Sequence, residues 1–65
     1  MLELEQALLR EQFQMLLTQQ QQALVACAEL LRNVQDPAVR EQVEQLHREK
    51  QRHIELTERL LEIVG

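Results

Sequence analysis

Two histidines and the glutamates near them are the side chains of this 65-residue chain whose types and spacing could hold a metal ion. Glu44 and His47 form a Glu-x-x-His pair, the spacing at which a carboxylate and an imidazole on one helix can share a metal. Glu49 and His53, four residues apart, form a second pair. Such spacings arise by chance in a helix rich in glutamate, so we predict neither a metal nor a cofactor. These four residues are the candidates if a metal binds.

The sequence contains no motif for nucleophilic catalysis or for phosphate binding. Cys27 is the single cysteine, and the helix register derived below puts no histidine beside it. The single glycine, Gly65, cannot build a phosphate-binding loop. We therefore expect a non-enzymatic protein in which Cys27 is a small core residue.

The elements that carry these residues are two amphipathic helices. Apolar residues recur at alternating spacings of three and four on both sides of a break at residues 33–37. This pattern predicts an all-α, single-domain antiparallel hairpin over residues 1–65, with helices at about 2–33 and 37–64 and a turn at about 34–36. The apolar series is Leu2, Leu9, Phe13, Leu16, Ala23, Cys27, Leu30 and Val34 before the break, and Val39, Val43, Leu46, Leu60 and Val64 after it.

The pair Asp36-Pro37 marks the start of the second helix. An aspartate side chain accepts hydrogen bonds from the first free amides of a helix, and proline at the first position gives up an N–H that has no partner there. Proline also disfavours helical geometry at the residue before it, so the preceding helix ends by Asp36. Gly65 is the expected stop.

The width of the apolar face predicts self-association. Leu17, Leu24 and Leu31 lie one heptad apart beside the main series, and a stripe this wide suits contact with two neighbours. A chain of this length needs additional support, and a lone cysteine supplies no internal disulfide. We therefore expect a homodimer that forms a four-helix bundle.

Polar residues interrupt both apolar series. If the turn centres near Gln35, residues whose numbers sum to about 70 lie opposite each other, which places Gln20 against Lys50 and His53. Such a polar layer fixes register and partner orientation at a cost in stability. The predicted oligomer interface is Leu9, Phe13, Leu16, Leu17, Gln20, Leu24, Cys27, Leu31, Lys50, His53 and Leu60.

Charge and composition limit the partners. A net charge of −4 argues against nucleic-acid binding, which requires a basic face. No apolar run approaches the roughly 18 residues that a membrane span needs. With no signal-peptide pattern at the start, the expectation is a cytoplasmic protein with a reduced Cys27.

The segment from Asp36 to Arg40, followed by Leu46, His53, Leu56 and Leu60, resembles the second helix of a ferritin-like hairpin, as found in small families that include the spore-coat type. Residues 49–55 are similar to the helix that carries the family's Glu-x-x-His. His53 matches a ligand of that motif, whereas Lys50 replaces the glutamate of the iron-binding members, and Gln19 to Gln22 contain no acid. The resemblance implies a half-bundle that dimerises into four helices without a metal centre.

Three functions follow from this sequence. The first is a structural or protein-interaction hairpin that pairs with itself. The second is a ferritin-like protein that binds metal between subunits through Glu44, His47, Glu49 and His53. The third is a chaperone-like hairpin that holds an amphipathic helix of another protein in its groove.

Overall fold

The computed structural model describes residues 2–65, with side chains from residue 3 onward, and contains two helices packed against each other. Helix α1 spans Leu2–Asn33 and helix α2 spans Pro37–Val64. The pair forms a rod of 52 × 14 × 12 Å. The predicted all-helical hairpin is therefore confirmed. The side chain of Leu2, predicted to begin the apolar series, lies outside the described part.

Local chemistry at the turn starts α2 where the sequence indicates. Asp36 is extended (φ −68°, ψ 120°), and its Oδ1 accepts hydrogen bonds from the Ala38 N–H at 2.9 Å and the Val39 N–H at 3.5 Å. Pro37 occupies the first helical position. At the other end, the Gly65 N–H donates to the Leu61 carbonyl oxygen at 2.7 Å. Asp36 and Gly65 thus cap α2 as predicted.

Arg40 joins the two helices at the turn. Its Nη1 donates to the carbonyl oxygens of Leu31 at 2.6 Å and Val34 at 3.4 Å, at the C-terminal end of α1. Those carbonyls have no amide partner within the helix and carry partial negative charge. Arg40 Nε also lies 3.3 Å from Glu44 Oε1. Arg40 therefore holds the first turn of α2 onto the end of α1.

The seam between the helices uses a different apolar row from the one predicted. In α1, Leu17, Leu24 and Leu31 are half-buried, whereas Leu16 and Leu30 are exposed. The predicted main series was therefore wrong at alternate positions, because the leucines expected beside the seam occupy it. The seam residues are Phe13, Leu17, Gln20, Leu24, Cys27, Leu31 and Val34 in α1, and Val43, His47, Lys50, Ile54, Thr57, Leu61 and Val64 in α2.

The contacts between the two helices also differ from the predicted register. Gln20 contacts Thr57, whereas the predicted register placed it against Lys50. Residues 3–12 and 37–42 are exposed throughout, as expected if each of these segments extends beyond the end of the other helix. The predicted layer of Gln20, Lys50 and His53 does not form.

We predict that Arg40→Met lowers the free energy of unfolding by about 1 kcal/mol, because it removes the charged donor from the last carbonyls of α1. The measurement is urea unfolding at one fixed protein concentration. Arg48→Met removes the same charge from an exposed position of the same helix and is expected to change stability much less. Equal losses in the two variants would show that the contact contributes nothing specific.

Candidate interaction surface

Packing within the hairpin buries very little. Among the described residues, Cys27 at 4% exposure and Thr57 at 3% are the ones that are fully buried. The other seam residues are half-buried, because one neighbouring helix covers only one side of each. A surface able to bind something must therefore be sought on the faces that the seam leaves open.

The contact between Thr57 and Gln20 is the polar centre of the seam. Thr57 Oγ1 lies 3.0 Å from Gln20 Oε1 and 2.8 Å from the carbonyl oxygen of His53. A hydroxyl has one proton to donate, and both neighbours as placed are acceptors. Turning the Gln20 amide by 180° exchanges its oxygen and nitrogen, so that Nε2 donates to Oγ1 while Oγ1 donates to His53. This arrangement satisfies the buried hydroxyl fully.

Lys50 lies in the seam one heptad before Thr57. It is half-buried, and within the described residues no carboxylate lies within 4.0 Å of its ammonium group. Its alkyl stem covers apolar surface while the charged end reaches for water. Lys50 is therefore a polar residue in the seam without an ionic partner.

The metal-ligand candidates are divided between two faces. Glu44 and His47 are half-buried along the seam, and the Glu44 carboxylate is engaged by Arg40. Glu49 and His53 are exposed on a different face. Within the described part of the chain, no three His, Cys, Asp or Glu side chains come together as a metal site would require.

The side of the hairpin next to the seam carries two apolar rows of heptad spacing. Each row lies on one helix and consists of the residues that directly precede every second seam residue. On α1, for example, Leu16 precedes Leu17, and on α2 Leu46 precedes His47. An antiparallel pair has an approximate two-fold axis perpendicular to the plane of its helices, so equivalent heptad positions lie on the same side. We call this surface the apolar side: Leu9, Leu16, Ala23 and Leu30 from α1, and Val39, Leu46, His53 and Leu60 from α2.

Leucines on the apolar side face solvent to an unusual degree for core-forming residues. Leu16 is 41% exposed, Leu30 51% and Leu46 42%. The other side of the hairpin consists of the residues that directly follow the remaining seam positions, such as Gln21 after Gln20, and it is predominantly polar. We call it the polar side: Gln14, Gln21, Ala28, Glu44, Gln51 and Glu58.

Further exposed apolar residues lie outside the apolar side. Leu56 and Ile63, four residues before Leu60 and three after it, widen it along the C-terminal half of α2. On α1, Leu4, Leu8, Met15 and Val25 are exposed, and two shallow depressions border Met15, Thr18 and Val25. Glutamines and Glu11 interrupt this outer face, so it is less continuous than the apolar side.

The predicted interface residues divide between the seam and the apolar side. Seven of them are seam residues, which pack inside one hairpin: Phe13, Leu17, Gln20, Leu24, Cys27, Leu31 and Lys50. The other four lie on the apolar side: Leu9, Leu16, His53 and Leu60. Leu30, Val39 and Leu46 also lie on this side, but the sequence prediction placed them in the seam. Their spacing of seven with the other members was the signal available for finding them.

Comparisons with known proteins give no relative. No protein-family model matches the chain, and no curated protein or solved structure does. Neither α1 nor α2, as described, has a stretch both long and apolar enough to cross a membrane.

We predict that Thr57→Val costs about 1 kcal/mol more than Thr18→Val, because only Thr57 bonds to the other helix. Thr18 is a matched control, since its Oγ1 also donates to a carbonyl four residues earlier, that of Gln14 at 3.1 Å. The comparison is made by thermal and urea unfolding of both variants. Equal losses of unfolding free energy in the two variants would show that the bond to Gln20 makes no net contribution to stability.

We also predict that Lys50→Leu raises the melting temperature, because it replaces an unpaired cation in the seam by apolar surface worth about 1 kcal/mol. Arg52→Leu makes a comparable change on the exposed face of the same helix and is expected to leave the melting temperature nearly unchanged. A lower melting temperature for Lys50→Leu would reveal a favourable interaction of the ammonium group.

Proposed function

We propose that this chain is a non-enzymatic structural or protein-interaction module whose partner is a second copy of itself. In this proposal the apolar sides of two hairpins pack face to face and form a four-helix bundle. The observation that carries the proposal is the exposure of Leu16, Leu30 and Leu46 in two parallel rows on one side of the hairpin.

The dimensions of a single hairpin support the need for a partner. It exposes 5383 Å², whereas a compact protein of 7.7 kDa exposes about 4,300 Å². Its radius of gyration is 15.3 Å, against about 11 Å for a compact chain of this length. The excess surface arises because two helices make a rod without a second layer.

Pairing two hairpins would remove much of that excess. A compact protein of twice this mass exposes about 7,200 Å², so a compact dimer would bury at most about 3,600 Å² in total. That area lies within the range of obligate interfaces. A second copy is therefore large enough, and of the right shape, to supply the layer that one hairpin lacks.

The distribution of charge supports the choice of side. The apolar side has no Asp, Glu, Lys or Arg among its eight members, whereas the polar side carries Glu44 and Glu58. Two copies meeting through their polar sides would bring glutamates together. We also propose a cytoplasmic location, because a single thiol buried in the seam is consistent with a reducing compartment.

The test introduces charge into the apolar side. The double variant Leu16→Glu with Leu46→Glu is expected to weaken self-association more than about a hundredfold, since four leucines per dimer lose their apolar burial. Gln21→Glu with Gln51→Glu adds the same charge to the polar side and is expected to leave the dimer intact. Sedimentation equilibrium over a range of concentrations measures both.

Three results would contradict the proposal. A natural chain that sediments as a 7.7 kDa monomer at all concentrations would show that the apolar side does not bind a second copy. Equal weakening by the two double variants would place the interface elsewhere. Assembly that appears only with an added metal ion, or only with a bound amphipathic helix from another protein, would favour the metal-binding or chaperone-like function instead.

A further inference from the structure

His53 is the one strongly polar residue of the apolar side, and it lies at the midpoint of that side. The packed stretches of the two helices cover residues 13–34 and 43–64. Ala23 lies ten residues into the first stretch, and His53 lies ten residues into the second. Because these two stretches pack against each other, their centres, Ala23 and His53, lie near one level of the hairpin. The apolar side therefore has a histidine and an alanine at its centre.

Two arrangements bury the apolar sides of two hairpins symmetrically. If both turns lie at the same end, the two-fold axis runs along the bundle, and each α1 lies over the second copy's α2. His53 then meets the second copy's Ala23. If the turns lie at opposite ends, the axis crosses the bundle at its midpoint, and each helix lies over its own counterpart. His53 then meets the second copy's His53, and Ala23 meets Ala23.

The chemistry of His53 distinguishes these arrangements. An imidazole buried against the methyl group of Ala23 would lose its water without gaining a hydrogen bond, which is unfavourable. Two imidazoles facing each other at the axis can pair, with the N–H of one ring donating to the bare nitrogen of the other. In the structure, no hydrogen bond within the described residues engages the His53 ring, so it is free to form this pair.

The charge of the extended segment of α1 favours the same arrangement. Residues 3–12 are exposed throughout and contain Glu3, Glu5 and Glu11 with Arg10 as their cation. With the turns at one end, both copies would place these glutamates together, and the repulsion would be unfavourable. With the turns at opposite ends, each acidic segment lies instead near the second copy's residues 37–42, in which Arg40 and Glu41 leave no net charge, so this repulsion is avoided.

We propose that two copies pack with their turns at opposite ends, about a two-fold axis that passes between the paired Ala23 residues and the paired His53 residues. The His53 pair sets this orientation, in the way that a single polar residue fixes register in a coiled coil. This inference rests on the proposed self-association and adds its geometry. Leu16 then packs on the second copy's Leu30, and Leu46 on the second copy's Leu60.

Disulfide trapping tests the orientation directly. Two single variants, Ala23→Cys and His53→Cys, are made in a Cys27→Ala background, so that each chain has one thiol. Each is oxidised under mild conditions in the folded state, alone and as an equimolar mixture that has been unfolded and refolded together. The background chain and the urea-unfolded variants are the controls. Cα atoms of facing residues at such an axis come within the range of a disulfide.

The expected result is that Ala23→Cys, which keeps the imidazole pair, links to itself at least about tenfold faster than its unfolded control. His53→Cys loses that pair and is expected to link to itself faster than its unfolded control but more slowly than Ala23→Cys. In the mixture, links between unlike chains are expected to be minor. Predominant linking of Ala23→Cys to His53→Cys, with little self-linking, would overturn the orientation while leaving the dimer itself intact. A dimer in sedimentation that gives neither kind of link would also overturn the inference. A monomeric background chain would instead refute the proposed function.

The role of His53 is tested separately from the orientation. Adding His53→Leu to the Ala23→Cys chain removes the imidazole pair and leaves an apolar residue. The chain is expected to remain dimeric, with a self-linking rate at least about threefold lower, as the same-end arrangement becomes populated. His53→Asn, which can pair across the axis, is expected to restore rapid self-linking. Unchanged self-linking with His53→Leu would show that another feature sets the orientation.

Discussion

The packing of one helix against a single other helix is the constraint on which this structure depends. Each helix can cover one face of its neighbour, so full burial is limited to Cys27 and Thr57 among the described residues. The other apolar side chains of the described part are at best half covered, and most of those in the two rows on one side are exposed. The exposed apolar side follows directly from a fold with two elements and one seam.

The three-residue linker and the residues beside it join the two helices. Asp36 is extended and caps α2, and Arg40 reaches back to the last carbonyls of α1. Together they hold the start of α2 against the end of α1. Along the seam that follows, Thr57 contacts Gln20. The packed stretches, residues 13–34 and 43–64, have Ala23 and His53 near their centres.

The effect of a polar residue in the heptad pattern depends on whether it lies inside the seam or outside it. Thr57 and Gln20 satisfy each other inside the seam, where an unpaired hydroxyl would be costly. Lys50, also in the seam, has an alkyl stem long enough to return its charge to water. His53 lies outside the seam, where only a second molecule can bury it. Thr57 and Gln20 therefore contact each other within one hairpin, whereas His53 orients the second copy only in the dimer that we propose.

The sequence by itself determined that the chain forms two helices and where α2 begins and ends, because periodicity, Asp36, Pro37 and Gly65 act through bonds between near neighbours in the chain. It also indicated that the apolar residues exceed what one seam can use. The choice of seam row and the contact of Arg40 with α1 follow only from the packing of the two helices. In a heptad pattern, Leu16 and Leu17 are equally good seam residues, and a shift of seven restores the same pattern. Only the position of one helix against the other distinguishes these alternatives, so His53 could be assigned to the apolar side only after the helices were placed.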